Sequence, residues 1–213
     1  MAYRKTAHVR EQLADKRIRI LDAARRLVSR GGFRETGIDA VAAEAGVATG
    51  TVYRYFPSKS ALFVEVVSRV SEREVDTVAA IAARTGDPEE RLRQSVRQFA
   101  ARALANHRLA YALIVEPSDP DVEGVRIRYR RKLAEAFASI IAAGIGTGCF
   151  RAQDAQLAGT CIVGAIMEAL IGPLAHETDD AETLLCAIEQ FCLQAVCVRS
   201  DSPLRRAARV LPT

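Results

Sequence analysis

Apolar residues recur at helical spacing along the first third of the chain, and glycines interrupt them at intervals. The first such segment predicts a helix over residues 14–30, because its apolar side chains lie three or four positions apart and share one face. That face comprises Ile20, Ala24, Leu27 and Val28. The pair Gly31-Gly32 then predicts the end of this helix, since glycine commonly follows a helical C-terminus.

Two shorter segments with the same spacing follow. Thr36 is placed to cap a helix over 37–45, and a very short helix is predicted from Thr49 to Phe56. Pro57-Ser58 breaks this third segment and caps a long helix that begins near Lys59. Two short helices around a glycine turn, next to a first helix, indicate a helix-turn-helix module.

The predicted third helix carries bulky and polar groups on a surface where a short helix has room for one buried stripe. At about 100° per residue, Val52 and Phe56 lie about 40° apart, so both are expected to hold the helix against the core. The residues that then face outward or lie on its shoulders are Gly50, Thr51, Tyr53, Arg54 and Tyr55. Because a surface glycine lets the backbone approach base edges, this face suits the major groove of DNA.

Lys59 follows at the start of the next helix, where its charge and the helix N-terminus both suit a phosphate. The residues alone leave simpler interpretations open. In these interpretations Gly50 is a turn residue and the two tyrosines belong to the core. Arg54 and Lys59 would be ordinary solvated charges.

Longer helical segments occupy the rest of the chain. They are separated by breaks at Gly86-Asp87-Pro88, at 117–120 and in the glycine-rich stretch 144–148. The predicted helices cover 59–84, 89–115, 122–143, 152–176 and 181–199. The last two carry apolar residues on several faces, and such helices need several partners. We therefore expect a helical bundle shared by two subunits of a homodimer.

A run of basic residues opens the helix predicted over 122–143. It comprises Arg126, Arg128, Arg130, Arg131 and Lys132. Three interpretations remain open: a second DNA surface, a contact with an anionic ligand, or neutralisation by acidic residues just upstream. Those acidic residues are Glu116, Asp119, Asp121 and Glu123.

The composition fits an all-α globular protein. Of the 213 residues 49% are hydrophobic, which suffices for a sizeable core, and almost no segment alternates apolar and polar residues as a strand does. Residues 1–60 hold 12 Lys and Arg against 6 Asp and Glu, whereas the remainder holds 18 against 20. This asymmetry predicts a basic module that meets a polyanion, joined to a near-neutral module with another task.

The motifs of common enzymes and metal sites are missing from the sequence. It contains no Gly-x-Ser-x-Gly, no phosphate-binding glycine loop and no His-Glu-x-x-His, and its three histidines are scattered. We therefore expect no enzyme, no cofactor and no bound metal. A DNA-packaging protein would also be basic, but it would not need a long apolar, net-acidic remainder.

Five cysteines, an odd number without zinc-site spacing, all lie in the last third of the chain. They are Cys149, Cys161, Cys186, Cys192 and Cys197. Buried thiols in a reducing cytosol are the default expectation. Thiol-redox sensing is the alternative, because it requires exposure and a lowered pKa that a sequence does not reveal.

The segment Leu157 to Ala175 is apolar for nearly the length of a membrane span. Glu168 lies in its middle and Pro173 near its end, which favours a helix buried between protein surfaces and no membrane. The N-terminal residues contain no apolar stretch of signal-peptide length. A cytoplasmic location is therefore expected.

Residues 14–63 closely resemble the N-terminal module of the TetR family of bacterial transcription regulators. That family reads A-G-V-S-x-G-T-x-Y-x-Y-F-x-S-K-x-x-L, and the segment from Ala45 to Leu62 matches every named position but one. The exception is Ala48, which replaces a serine whose hydroxyl caps the recognition helix or contacts DNA. Thr49 is expected to take over one of these tasks.

The resemblance implies nine or ten helices, a three-helix DNA reader and a C-terminal ligand-binding and dimerisation domain. It implies repression relieved by a small molecule. The single reader module and the two apolar C-terminal helices further predict a homodimer that binds an inverted-repeat operator. By position in the motif it assigns phosphate contacts to Thr36, Tyr53, Tyr55 and Lys59, and base-edge or groove contacts to Thr49, Gly50, Thr51 and Arg54. It further implies that Arg4 and Lys5 in the N-terminal arm add minor-groove or phosphate contacts.

The predicted domain map has a basic arm over 1–13 and a DNA-binding domain over 14–63, with the helix-turn-helix at 37–56. A ligand-binding and dimerisation domain follows over 64–199, and a tail over 200–213. A mostly apolar effector pocket is expected between its middle helices and its last two, for a largely apolar small molecule. The candidate walls are Phe99, Tyr111, Phe137 and Met167, and the candidate polar anchors are His107 and Glu168. The alternative is that these residues form ordinary core.

Overall fold

The computed structural model of the chain describes residues 7–176 and 180–197. Within them it has nine α-helices and no strand, which confirms the all-α class. The helices are α1 (Ala7–Glu35), α2 (Ile38–Ala45), α3 (Thr49–Tyr55), α4 (Lys59–Ala82), α5 (Pro88–Ala105), α6 (His107–Ile114), α7 (Pro120–Gly146), α8 (Ala155–Ala175) and α9 (Ala181–Val196).

The helix α1 begins earlier than the sequence pattern predicts. Residues 7–13, assigned by the prediction to a basic arm, already belong to α1. Gly32 interrupts the helix with φ 74° and ψ −175°, a conformation that glycine adopts without steric cost. Regular helix therefore stops at the predicted glycine pair, and a short helical turn continues to Glu35.

The described residues divide into two compact units. Unit 1 takes 7–72 and 106–129, and unit 2 takes 73–105, 130–176 and 180–197. In unit 1, α1 packs against both α2 and α6, and α2 packs against α3. Their shared core includes the fully buried side chains of Ile20, Val28 and Val41. The predicted domain boundary near residue 63 stays a prediction, because the two compact units divide the chain at other residues.

Unit 2 forms a second core, in which α5 packs against α8 and α9. Phe137 is fully buried there. α7 and α8 approach closely at Gly159, where an added Cβ would lie 2.5 Å from the Ala134 carbonyl oxygen and 2.9 Å from the Ala138 nitrogen. Asp154 caps α8 by accepting hydrogen bonds from two backbone N–H groups of its first turn.

The predicted helix over 89–115 is wrong as a single element. Asn106 leaves helical geometry with φ −127° and ψ 46° and separates α5 from the short α6. Asparagine has a low helix propensity because its side chain competes for local backbone groups. The break was hidden because apolar residues continue on both sides of it.

One described helix, α8, is long and apolar enough to cross a membrane, by length and composition only. Its buried residues are Gly159, Ile162, Val163, Ile166, Leu170 and Leu174, which lie on one face at helical spacing. The opposite face is exposed and includes Leu157, Cys161 and Glu168. α8 is thus a core helix of unit 2 on one side and an uncovered apolar helix on the other.

Candidate DNA interface

The recognition helix α3 is held to unit 1 by the two residues that the sequence predicts. Val52 is fully buried and Phe56, at the C-cap, is 2% exposed. The Arg17 guanidinium lies 5.0 Å from the centre of the Phe56 ring and also pairs with Glu65 of α4. An apolar contact therefore holds the inner side of α3 to unit 1, and Arg17 packs against its C-terminal end.

The outer side of α3 is open, as expected. The side chain of Tyr53 is 50% exposed, and Arg54 is exposed with its guanidinium 5.6 Å from the Tyr55 ring centre. Gly50 is exposed, and a Cβ built on it would meet nothing within 4 Å. Thr51 is half-buried on the same short helix. Their DNA contacts stay predictions, but the surface needed for them is accessible.

The start of α3 differs from the expectation for Thr49. The N-cap residue is Ala48 and no side chain caps the helix, so Thr49 does not replace the missing serine as a cap. The Thr49 hydroxyl instead donates a hydrogen bond to a carboxylate oxygen of Asp39 in α2, at 2.8 Å. Asp39 is exposed, so this pair lies on the open surface of the module.

Thr36 and Tyr55 are less accessible than their predicted phosphate contacts require. Thr36 is 3% exposed and its hydroxyl donates to the Gly32 carbonyl at 2.7 Å, so the prediction that it caps α2 is wrong. The cap position belongs to Gly37, without a side-chain bond. The Tyr55 hydroxyl is buried and lacks a hydrogen-bond partner among the described residues. Both phosphate contacts stay predictions that the burial of these hydroxyls disfavours.

Lys59 begins α4, and the preceding residue caps that helix as predicted, because the Ser58 hydroxyl accepts from the Ala61 backbone N–H at 3.0 Å. The Lys59 ammonium lies 5.3 Å from the centre of the Phe63 ring. Among the described residues neither Lys59 nor Arg54 forms an ion pair. Both charges are thus free to meet a phosphate, while Arg4 and Lys5 lie outside the described residues.

Part of the remaining positive charge of unit 1 is already ion-paired. Arg26 and Arg30 both pair with Glu44, at 2.8 and 3.5 Å. These arginines hold the pKa of the Glu44 carboxyl below its ordinary value, chiefly through the hydrogen bond from Arg26. A cleft of about 320 Å³ lies here, lined by Arg19, Asp22, Arg26, Glu44 and the end of α2. Its ion-paired walls make it unlike the predicted apolar pocket.

The loop after α6 contributes a contact that the sequence did not predict. The Glu116 carboxylate accepts hydrogen bonds from the backbone N–H groups of Phe33 and Arg34, at 2.9 and 2.8 Å. Arg126 is 5% exposed and donates to the Glu116 carbonyl at 2.9 Å and to the Glu123 carboxylate at 3.0 Å. Of the alternatives for the basic run, neutralisation by upstream acidic residues therefore holds for Arg126.

The six predicted effector residues do not share one compact unit. Phe99 and Phe137 are buried in unit 2, where Met167 is half-buried and Glu168 is exposed. The half-buried His107 and Tyr111 belong to unit 1. The exposure of Glu168 disfavours its predicted role as a polar anchor inside a closed pocket. The effector site stays a prediction.

The expectation of buried thiols is wrong for two cysteines. Cys161 on α8 and Cys186 on α9 are exposed, whereas Cys192 is fully buried. Burial raises the pKa of the Cys192 thiol to about 12, which keeps it protonated and unreactive at neutral pH. Cys149 and Cys197 are half-buried.

Two protein-family models match the sequence. The model described as bacterial regulatory proteins, tetR family, matches residues 20–66. The model described as a tetracyclin repressor-like C-terminal domain matches residues 85–170. Together the two matches cover more than half of the chain.

The relatives found by sequence are regulators of transcription or metabolism. The HTH-type transcriptional repressor KstR of Mycolicibacterium smegmatis is 43% identical over 82 residues, 38% of this chain and 40% of that protein. The chain thus matches less than half the length of this relative. The fatty acid metabolism regulator protein of Bacillus subtilis is 24% identical over 166 residues, 74% of this chain and 83% of that protein.

A solved structure has the same fold. The transcriptional regulator FadR from Bacillus subtilis, in complex with stearoyl-CoA, superimposes with a TM-score of 0.74. The sequences are 20% identical, and the match covers 84% of this chain and 98% of that one. The similarity extends over both compact units.

Proposed function

The chain belongs to the TetR family of bacterial regulatory proteins, and on this basis we propose that it is a transcription repressor that binds an operator in double-stranded DNA. The observation that carries the proposal is the open outer side of α3. α3 carries Gly50, which has free space around it, together with the half-exposed Tyr53 and the unpaired cation Arg54. A second unpaired cation, Lys59, begins α4. This is the arrangement in which phosphate contacts position a helix and base contacts specify the site. A DNA-binding regulator is expected in the cytoplasm.

The protein acts as a homodimer in this proposal. On α8 and α9 the side chains of Leu157 and Phe191 are each 61% exposed, although both are large and apolar. Exposed apolar faces on two neighbouring helices are stabilised when a second copy covers them, and the resulting bundle has two-fold symmetry. Two-fold symmetry places one α3 in each half of an inverted repeat.

A largely apolar small molecule releases the protein from the operator in this proposal. The core of unit 2 supplies apolar walls, and a structural relative binds stearoyl-CoA. Long-chain acyl thioesters are therefore the first compounds to test. Chemically unrelated apolar and aromatic compounds form the comparison set.

Footprinting combined with light scattering tests the DNA-binding proposal. The expected result is a dimer at micromolar concentration and a protected region with dyad symmetry, with half-sites about one helical turn apart or more. Phe191→Glu, which puts a charge on the apolar face of α9, is expected to yield folded monomers that lose operator affinity. A wild-type monomer, or a footprint without dyad symmetry, would contradict the proposal.

Native mass spectrometry of freshly purified protein tests the effector proposal, because a bound molecule adds its own mass to the dimer. Acyl-CoA compounds of graded chain length are then added to the protein–operator complex while fluorescence anisotropy is followed. Release by long but not short chains supports an apolar effector. Retention of the operator with every compound in both sets would contradict inducible repression.

A thiol-responsive regulator with the same DNA reader is the second candidate, favoured by the exposure of Cys186. Cys161 is also exposed, but it shares the face of Leu157 that a second copy covers. If oxidation controls the protein, diamide releases wild-type protein from the operator and a Cys161→Ser/Cys186→Ser variant is not released. Equal behaviour of both proteins would rule this candidate out.

A further inference from the structure

The hydrogen bond between α2 and α3 has a fixed direction. An ionised carboxylate has no hydrogen to donate, so the 2.8 Å contact between Thr49 Oγ1 and Asp39 Oδ1 uses the hydroxyl hydrogen of Thr49. A threonine hydroxyl has one hydrogen and two lone pairs. Thr49 therefore retains only its ability to accept hydrogen bonds.

The pair lies on the surface proposed to face DNA. Thr49 is the first residue of α3 and lies one helical turn before Tyr53, on the same face of the helix. Asp39 is exposed, Thr49 is half-buried and Tyr53 is 50% exposed. The lone pairs of Thr49 and the second carboxylate oxygen of Asp39 together form a patch that accepts but does not donate hydrogen bonds.

Bases in the major groove differ in the groups they offer to such a patch. Adenine presents the N6 amino group and cytosine the N4 amino group, which both donate. Guanine presents O6 and N7, and thymine presents O4, which only accept. When two acceptors face each other with no water between them, neither forms a hydrogen bond, and the affinity for DNA falls.

We propose that Asp39 is a specificity-determining residue, which orients the Thr49 hydroxyl as an acceptor so that the pair selects a base carrying an exocyclic amino group. The inference rests on the proposed docking of α3 in the major groove. Asp39 therefore acts through Thr49, and the hydroxyl oxygen of Thr49 is the atom that contacts the base.

The negative charge of Asp39 adds a second effect. Phosphates attract the unpaired cations Arg54 and Lys59, but they repel a carboxylate on the same surface. Where Thr49 finds its amino group, the new hydrogen bond offsets this repulsion. The repulsion itself is the same on every sequence, so Asp39 lowers affinity for all DNA and the discrimination comes from the hydrogen bond.

The test measures affinity for a series of operators with wild type, Asp39→Ala and Thr49→Val. In one set each base pair of the half-site is replaced in turn. In the second set only the amino group is removed, with purine in place of adenine or 2-pyrimidinone in place of cytosine, which also distinguishes the two bases. Thr49→Ser retains the hydroxyl, and Asp15→Asn removes a carboxylate from exposed α1 surface as the charge control.

Wild type is expected to lose about five- to tenfold in affinity when the amino group at one half-site position is removed. Thr49→Ser should lose as much affinity as wild type when the amino group is removed, whereas Thr49→Val should lose none. Asp39→Ala frees the hydroxyl to donate, so the loss falls to within about twofold and thymine or guanine is tolerated at that position. Asp39→Ala also binds scrambled DNA more tightly, whereas Asp15→Asn leaves the base preference unchanged.

Three results would overturn the proposal, and they are distinguishable. An Asp39→Ala protein, folded by circular dichroism, that keeps the full amino-group dependence shows that Asp39 does not set the preference. Sequence-specific binding by wild type without dependence on any amino group refutes the inference and leaves the proposed function standing. Binding of matched and scrambled DNA with equal affinity by wild type refutes both.

Discussion

The carboxylate of Glu116 accepts a hydrogen bond from the backbone N–H of Phe33 at 2.9 Å, although the two residues are 83 positions apart. A second bond, from the N–H of Arg34, occupies the other carboxylate oxygen at 2.8 Å. Gly32 makes room for this contact, because an added Cβ would lie 2.4 Å from the nearer Glu116 oxygen. Glu116, two residues after the end of α6, thus satisfies the backbone of the last turn of α1, just after the kink at Gly32.

Glu116→Gln is expected to lower the free energy of unfolding by about 1 to 3 kcal/mol. Glutamine has nearly the same shape but presents one acceptor and one NH₂ group, so one of the two backbone N–H groups faces another donor. Urea unfolding followed by circular dichroism measures the change. Asp119→Asn, in the exposed loop before α7, is the control and should leave stability unchanged. Equal stability of the two variants would show that the Glu116 contact contributes little.

Gly50→Ala is expected to separate folding from DNA binding. The added methyl group meets nothing within 4 Å, and alanine favours a helix over glycine, so stability should rise by up to about 1 kcal/mol. Operator affinity should fall at least about tenfold, because the methyl group blocks close approach of the backbone to the bases. Gly124→Ala, in open space on α7, should leave DNA affinity unchanged. Undiminished operator affinity in Gly50→Ala would show that α3 does not approach the bases at this residue.

Gly159→Ala is expected to destabilise unit 2 by about 1 to 3 kcal/mol, because its methyl group would overlap backbone atoms of α7. Backbone atoms of a packed helix cannot rotate away as a side chain does. Thermal unfolding of the wild type and of Gly159→Ala measures the effect, and Gly124→Ala again controls for the extra methyl group. A melting temperature at or above that of wild type would contradict the close packing of α7 and α8.

Acid is expected to weaken unit 1 through Glu44. Because the Arg26 hydrogen bond lowers the pKa of this carboxyl from its ordinary value of 4.5, the folded state binds its proton less readily than the unfolded state. The resulting stabilisation is complete above pH 4.5 and is lost as the pH falls through the lower, folded-state pKa. Melting temperatures between pH 3 and 7 should therefore fall less steeply for Glu44→Gln than for wild type. Parallel curves of melting temperature against pH for the two proteins would show that Glu44 does not contribute to the acid sensitivity of unit 1.

The sequence predicted the elements whose cause is local. The bounds of α2 and α3 follow from apolar spacing, from Gly46 and from Pro57, all within a few residues of the helices that they end. The burial of Val52 and Phe56 follows from the same spacing. Helical periodicity determines which side of a short helix faces the core, so these predictions needed no information about distant residues.

The contacts that the sequence did not reveal join residues far apart in the chain. Asp39 and Thr49 lie ten positions apart on different helices, and their bond depends on the angle of the turn between them. The link from Glu116 to Phe33 spans 83 positions. Thr36 had the sequence position of a cap, yet its hydroxyl donates to the carbonyl of Gly32, four residues earlier. Periodicity carries no information about such hydrogen bonds.

In the proposed function α3 reads base edges while Lys59, at the start of α4, neutralises a phosphate. An ammonium near a phosphate carries no sequence information, so Lys59→Ala should weaken binding to all DNA alike. It should also reduce the slope of log affinity against log salt by about one. Thr51→Ala should keep the salt slope and lose up to about 1 to 3 kcal/mol of discrimination at one or two operator positions.

The measurement that tests this claim most directly is a salt series of operator affinities for wild type, Lys59→Ala and Thr51→Ala, each on matched and scrambled DNA. We expect a smaller slope with unchanged specificity for Lys59→Ala, and an unchanged slope with reduced specificity for Thr51→Ala. A Lys59→Ala protein that loses only specificity, or a Thr51→Ala protein that loses only salt dependence, would contradict the docking of α3 in the major groove.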